Sequence, residues 1–186
     1  MTLGEAKSKV YMLLDEHSAG GQVEHDPDIE AKMALFFDMA QKEVAKVSRI
    51  LRSRRIQILP GKTEYRLPED FQDLYRLWEN GRSVTGRFRF RGGRLLTRPE
   101  DAGRELLLEY YAIPETITAD TPDDYQFQLR EDACNAMPYY VAAQQLLPDL
   151  VMDYTGMLRM YQLALAGLSS GLPGESVRTA QRLFRR

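Results

Sequence analysis

Two spacings of apolar residues divide this chain. Over roughly the first fifty positions, and again beyond Thr121, they recur every three or four residues, the period of a helix face. Between those stretches they alternate at every second residue, the period of a strand. Thr2 and Glu5 make the pattern of a capping box, and Leu3, Ala6, Val10, Leu13 and Leu14 follow as the stripe of a first helix that Gly20-Gly21 stops. Asp26-Pro27 predicts a second start, an N-cap with proline at the first helical position, and Asp28 and Glu30 suit the amide dipoles there. Ile29, Met33, Phe36, Phe37, Ala40, Val44, Val47 and Leu51 continue as one stripe, so this helix is expected to reach Leu51 and to pack against something long.

Near Arg54 the period changes. Ile56 and Ile58 alternate with Arg55 and Gln57, Pro60-Gly61 makes a turn, and Thr63–Leu67 resumes an extended pattern that Pro68 ends. Further strands are predicted at Leu74–Trp78, Val84–Phe90, Arg94–Thr97 and Glu105–Tyr111. Asn80-Gly81 and Gly92-Gly93 mark hairpins between them, because both pairs accept positive φ at little cost. Thr121-Pro122-Asp123-Asp124 reads as a third helix start, followed by Leu129, Ala133, Ala136, Met137, Tyr140, Val141 and Gln144 on one face. Pro138 falls well inside that helix and is expected to bend it, at a cost of about 3 kcal/mol unless the kink is accommodated. Pro148 closes it, and residues 149–168 form another apolar helix. Gly171–Gly174 is a joint before Ser176–Arg186, a short basic amphipathic segment that must dock on something to stay helical. The expected fold is therefore α+β. A helical bundle body is built from 1–53 and 114–170, a small antiparallel β module is inserted at 54–113, and 171–186 is a C-terminal tail.

Composition adds exclusions. At 186 residues and 21.4 kDa, with 44% hydrophobic and 28% charged residues, the chain can bury a core, which excludes wholesale disorder and a fibrous class. No apolar run approaches the roughly 20 residues that cross a bilayer, and the start lacks a signal-peptide core, so no membrane is expected. The single Cys134 excludes an internal disulfide framework, and His17 and His25 alone exclude a histidine-rich metal site. The net charge of -2 hides strong asymmetry: residues 49–104 carry +7 and residues 105–154 carry -9. Such blocks point either to opposed faces, within a protomer or between neighbours, or to local compensation.

Catalytic templates fail. Gly92-Gly93 has no following Gly-Lys-Ser, and Gly81–Gly86 lacks a strand-to-helix context. Cys134 has no histidine near it in sequence and reads as a buried thiol. Asp123, Asp124, Glu131 and Asp132 cluster, and paired carboxylates can hold a metal or shuttle protons, yet acids are also simply favoured in first turns. No catalytic residue, metal or cofactor is assigned, and a carboxylate-dependent hydrolase is the weakest reading. Arg87, Arg89 and Arg91 alternate with Phe88 and Phe90, so a strand would show three guanidiniums on one face and two rings on the other. That face suits phosphates, as a DNA-binding module, or an acidic protein surface. Tyr110 and Tyr111 point to opposite faces of the last strand, so one of them is expected to meet a partner.

Tyr65-Arg66-Leu67-Pro68-Glu69-Asp70-Phe71 resembles the segment opening the β region of head-to-tail connector, or adaptor, proteins of tailed bacteriophages. Tyr110-Tyr111-Ala112-Ile113-Pro114, then Ile117–Thr121, then Met137-Pro138-Tyr139-Tyr140-Val141-Ala142-Ala143-Gln144, follow in the order of that family, and the resemblance spans about residues 3–165. It implies a non-enzymatic ring, commonly a dodecamer, beneath the portal protein at the capsid vertex. The ring would continue the channel for phage double-stranded DNA and dock the next neck or tail protein, a stopper or tail tube. It also implies assembly in the host cytoplasm and residence in the virion neck. The C-terminal segment would then dock on the portal through Val177, Arg178, Arg182, Leu183, Phe184, Arg185 and Arg186. Arg87, Arg89, Arg91, Tyr110 and Tyr111 are the candidate subunit or partner interface. Asp123 and Asp124 are candidate lumen-facing residues, since a channel wall that lets DNA slide should be acidic or neutral.

Overall fold

The computed structural model describes residues 1–17, 27–146 and 154–170. Gly20-Gly21, His25, the Asp26 cap, Pro148, the Gly171–Gly174 joint and the basic tail lie outside the described residues. The chain folds as two units. Residues 1–48 and 116–186 belong to a helical one, and residues 49–115 form a β module. Among the described residues no helix is long and apolar enough to cross a membrane.

In the helical unit, α1 (Leu3–His17) starts at the expected capping box. The Thr2 N–H donates to Glu5 Oε2 at 2.8 Å, and the Glu5 N–H donates to Thr2 Oγ1 at 3.2 Å. Its buried stripe is Leu3, Ala6, Val10 and Leu14, and α2 (Pro27–Ser48) buries Met33, Phe37, Ala40 and Val44 at the same spacing. α2 stops at Ser48. Arg49 takes a positive φ of 50° and the chain enters a strand, so Leu51 belongs to the module and not to the helix stripe. Helices α3 (Glu131–Cys134), α4 (Met137–Leu146) and α5 (Tyr154–Ser170) complete the unit. α4 packs against α1, α2 and α5, and its Val141, Ala142 and Ala143 are small enough to let those helices approach closely.

Two expectations for this region fail. No helix starts at Thr121; residues 113–130 are irregular, and the threonine and proline serve turns instead. Thr121 N–H donates to Thr118 O at 3.0 Å, and Tyr125 N–H donates to Pro122 O at 3.0 Å. The segment lies along the start of α1, where Leu3 N–H donates to Tyr125 O and Gly4 N–H to Asp123 O, each at 2.9 Å, filling two donor positions that a helix start leaves open. Gly4 allows this approach, since a Cβ there would stand 3.0 Å from Asp123 Cβ. Pro138 does not kink a long helix either. The helix is broken at Asn135-Ala136, and Pro138 is the second residue of α4, where a missing N–H costs nothing. Leu129, expected on this helix, lies before it in the irregular stretch.

Asp38 ties the returning chain to α2. Buried at 8% exposure, its Oδ1 accepts from the Ile117 N–H at 3.0 Å and from Gln41 Nε2 at 3.2 Å, while Oδ2 pairs with Lys42 at 2.6 Å. A buried carboxylate needs such partners, and here they hold a segment that has no regular structure of its own.

The module contains two antiparallel sheets. One has the order β1 (Ile50–Gln57), β7 (Glu105–Ala112), β3 (Phe71–Glu79), β4 (Arg82–Ser83), and the other β2 (Glu64–Arg66), β6 (Arg94–Leu96), β5 (Arg89–Arg91). Its first and last strands pair, Ile50 opposite Ala112 and Gln57 opposite Glu105, which is how an insertion brings its two ends together. Both sheets contribute to one core, with Ile56, Ile58, Leu77, Leu95, Leu106 and Leu108 among its buried members. Asn80 and Gly81 take φ of 49° and 73°, and Gly92 and Gly93 take 56° and 71°, the left-handed pairs that both hairpins were expected to need. The expected strand over Val84–Phe90 does not form. Thr85–Arg87 is a single 3₁₀ turn, held where the Leu77 N–H donates to the Thr85 hydroxyl at 2.9 Å.

Candidate interaction surfaces

The 3₁₀ turn breaks the expected row of arginines. Arg89 and Arg91 stand exposed on β5, but Arg87 is bent back into the module, its Nη2 donating to Asp101 Oδ1 at 2.8 Å with Glu79 3.8 Å from Nη1. Arg104 joins the same group at 2.9 Å from Glu79 and 3.5 Å from Asp101, and the Asp101 side chain is only 3% exposed. Phe88 is buried and Phe90 packs half-buried against the core, so neither ring forms a stacking platform for bases. Further ion pairs join Arg52 to Asp70 at 2.6 Å, Arg55 to Glu105 at 3.0 Å, and Arg94 to Glu64. The module carries fourteen basic and ten acidic residues, and much of its basic block is thus matched inside the module.

Two of the motifs that suggested the connector family, Tyr65–Phe71 and Tyr110–Pro114, meet in space within the module. Phe71 pairs with Ala112 across β3 and β7, and the Ile113 N–H donates to Asp70 O at 2.8 Å. Tyr110 points into the core at 5% exposure, stacked on Phe71 with 5.6 Å between ring centres, and its hydroxyl donates to Asp70 Oδ1 at 3.0 Å. Burial, then the bond to the Asp70 carboxylate, raises the phenol's pKa. Tyr65 is buried as well, its hydroxyl accepting from the Leu59 N–H at 2.6 Å. These motif residues therefore brace the module.

Tyr111 points the other way. On the outer face of the four-stranded sheet its ring lies 5.5 Å from Tyr75, with Arg49 stacked over it at 4.6 Å. Arg76 covers Tyr75 at 5.3 Å and Trp78 at 5.0 Å, and Trp78 Nε1 donates to Glu109 at 2.7 Å. A hollow of about 600 Å³ adjoins them, lined by Arg55, Trp78, Leu107 and Glu109 among others. Tyrosine, tryptophan and arginine together are the composition of binding hot spots. Sequence reasoning singled out only Tyr111 here. Two register shifts in β3, between Phe71 and Asp73 and between Leu74 and Arg76, break the alternation that would have placed Tyr75, Arg76 and Trp78 with it.

The acids are dispersed. Asp123 sits in a turn, not a helix start, pairing with Lys7 at 2.7 Å while its side chain stays 66% exposed. Asp124 is exposed beside it, and Asp132 pairs with Arg130 at 2.5 Å. Among the described residues no group of His, Cys, Asp and Glu could hold a metal ion. Cys134 is buried at 1% exposure, its thiol 3.6 Å from Leu129 O, and burial pushes its pKa up. The candidate portal-docking residues, Val177 to Arg186, lie outside the described residues.

The chain folds as a two-unit α+β protein, with tyrosine, tryptophan and arginine side chains gathered on the outer face of the four-stranded sheet of its β module. The sequence model of one family, described as SU10 adaptor protein, matches residues 1–182. The chain belongs to that family, the adaptors of the phage head-to-tail connection. No curated protein matches the chain.

Proposed function

We propose that this adaptor is a non-enzymatic structural ring, dodecameric in its assembled state, that sits beneath the portal at the capsid vertex. It continues the channel for double-stranded DNA and presents a surface to the next neck or tail protein, after assembly in the host cytoplasm. The observation that carries this reading is the family match across nearly the whole chain. Two structural features support it. About half of the module's arginines are ion-paired within it, which suits a protein that lets DNA slide past, and the exposed Asp123 and Asp124 fit a lumen wall. Arg89, Arg91 and Tyr111 remain outward-facing and suit a neighbouring subunit or partner, whereas Tyr110 is buried and Arg87, though exposed, is engaged by Asp101 and Glu79. The basic C-terminal tail, 171–186, is assigned to the portal.

Incubation with the portal protein tests this. Negative-stain images are expected to show rings on portal, and deletion of residues 174–186 is expected to weaken portal binding with the fold intact. Truncated protein that binds portal as well as the full chain would remove the tail assignment. Portal that recruits no full-length protein would remove the connector role.

A further inference from the structure

In the three-stranded sheet Tyr65, Leu95 and Phe90 form the row that packs into the module core, so the rows on either side of it point outward. One outward row is Arg66, Arg94 and Arg91, directly opposite one another on three adjacent strands, and the other is Glu64, Leu96 and Arg89. Four arginines against one glutamate leave this face at +3. Like charges directly opposite across strands destabilise a sheet, and here a row of three is kept.

The acids within reach do not discharge the face. Glu64 pairs with Arg94. Glu69, just beyond β2, stands 3.6 Å from Arg66, but the two side chains are 87% and 82% exposed, where an ion pair contributes little, and counting it still leaves +2. Arg89 and Arg91 have no ion-pair partner among the described residues. Both lie on β5, an edge strand, two residues and so about 7 Å apart. A hollow of about 300 Å³ opens beside Arg89, lined by Phe88, Leu96, Thr97 and Arg98 among others. The acid among its lining residues, Asp101, is 3% exposed and held by Arg87, and Arg98 stands 3.6 Å from exposed Glu100.

These features favour a polypeptide over a nucleic acid. A continuous phosphate chain would press against Glu64, whereas a polypeptide sets carboxylates only where guanidiniums stand. Tight duplex binding gathers many phosphate contacts, and only two unmatched arginines are offered here, on a chain of net charge -2. In an extended segment alternate side chains also repeat at about 7 Å, so acids at every second residue meet Arg89 and Arg91 together. We infer that the outer face of the three-stranded sheet docks an extended acidic segment of a partner protein, with alternate carboxylates on Arg89 and Arg91 and an apolar side chain in the hollow beside Leu96. This rests on the reading of Arg89 and Arg91 as an interface and adds the chemistry of what they meet.

Fluorescence anisotropy tests it, with the full chain and a fluorescein-labelled peptide of alternating glutamate and threonine. Saturable binding is expected, weakened about fivefold by Arg89→Gln with Arg91→Gln while the circular dichroism spectrum is unchanged. Removing the same charge from exposed positions of the helical unit, Lys32→Gln with Arg159→Gln, should leave binding as it was. No binding, or an equal loss in both double variants, would overturn the acidic occupant. Duplex DNA that binds more tightly than the peptide, and is lost with Arg89 and Arg91, would replace it with a nucleic acid. Phenylglyoxal labelling, read by mass spectrometry, separates the inference from the interface reading beneath it. Arg89 and Arg91 are expected to react in the free chain and to be protected in the purified neck assembly. Protection without peptide binding would overturn the acidic occupant alone. Equal reactivity in both states would overturn the interface reading, and the inference with it.

Discussion

Replacing Asp101 by Asn isolates what holds the arginine-rich half of the module. The carboxylate Oδ2 accepts from the Arg98 N–H at 3.0 Å, and asparagine keeps that acceptor. The other oxygen, 2.8 Å from Arg87 and 3.5 Å from Arg104, becomes an NH₂ facing two guanidiniums. A hydrogen bond to a charged group contributes about 1.5–3 kcal/mol, and stranding a fully buried charge costs about 3–5 kcal/mol. Here Arg87 and Arg104 are 43% and 32% exposed and both keep Glu79, so water and Glu79 relieve most of the stranded charge. The expected loss is therefore near the lower figure, about 2 kcal/mol. Trp78, the only tryptophan, lies on β3 and reports the module's unfolding by fluorescence. With a urea dependence of about 1 kcal/mol/M, the Trp78 transition should move down by about 2 M. Arg87→Gln should cost less, and the double variant should show a coupling of about 1 kcal/mol. A midpoint for Asp101→Asn within 0.5 M of wild type, at about 1 kcal/mol/M, would refute the claim that this ion-pair group braces the module.

Two further outcomes follow from buried and exposed side chains. The Tyr161 hydroxyl is buried on α5 with no hydrogen-bond partner among the described residues, while its ring packs 5.2 Å from Tyr140, so Tyr161→Phe should raise stability by about 1 kcal/mol in chemical denaturation. Burial pushes that phenol up to about 12 from 10.0. The folded state thus holds the proton more tightly, its advantage is complete below pH 10, and it is lost as pH rises towards 12. The phenylalanine variant should accordingly lose less stability than wild type over that alkaline window, and an identical loss would contradict the assignment. Arg89→Gln with Arg91→Gln should change stability by less than about 0.5 kcal/mol, since neither arginine has an ion-pair partner among the described residues. Filter binding of the free protomer to duplex DNA should be negligible even at low salt and unaffected by the pair; tight, steeply salt-dependent binding abolished by it would favour a DNA-binding module instead.

The elements legible in the sequence are those whose signals act locally. The Thr2–Glu5 box, the α2 stripe through Val44 and the Asn80-Gly81 and Gly92-Gly93 turns need only neighbours a few residues away. Signals with two local solutions misled. Thr121-Pro122-Asp123 suits a helix start and a tight turn equally, and the long-range bonds to Leu3 and Gly4 decide for the turn. The end of α2 carries no glycine, because Arg49 itself takes the left-handed conformation, so the change from helix to strand was not visible until Arg54. The outer sheet face was hidden for a related reason. Its members Arg49, Tyr75, Arg76, Trp78 and Tyr111 come from three parts of the chain, and the register shifts in β3 erase the period that would have grouped them. Burial of Cys134 is legible because an isolated thiol beside an apolar helix face has few other uses.

Cryo-electron microscopy of the purified neck assembly tests the central claim most directly. The predicted map has copies of this chain repeated about one axis beneath the portal, unlike faces in contact, around a passage wide enough for duplex DNA. A single copy per vertex, or a twofold pair closed on itself with no opening along the axis, would contradict it.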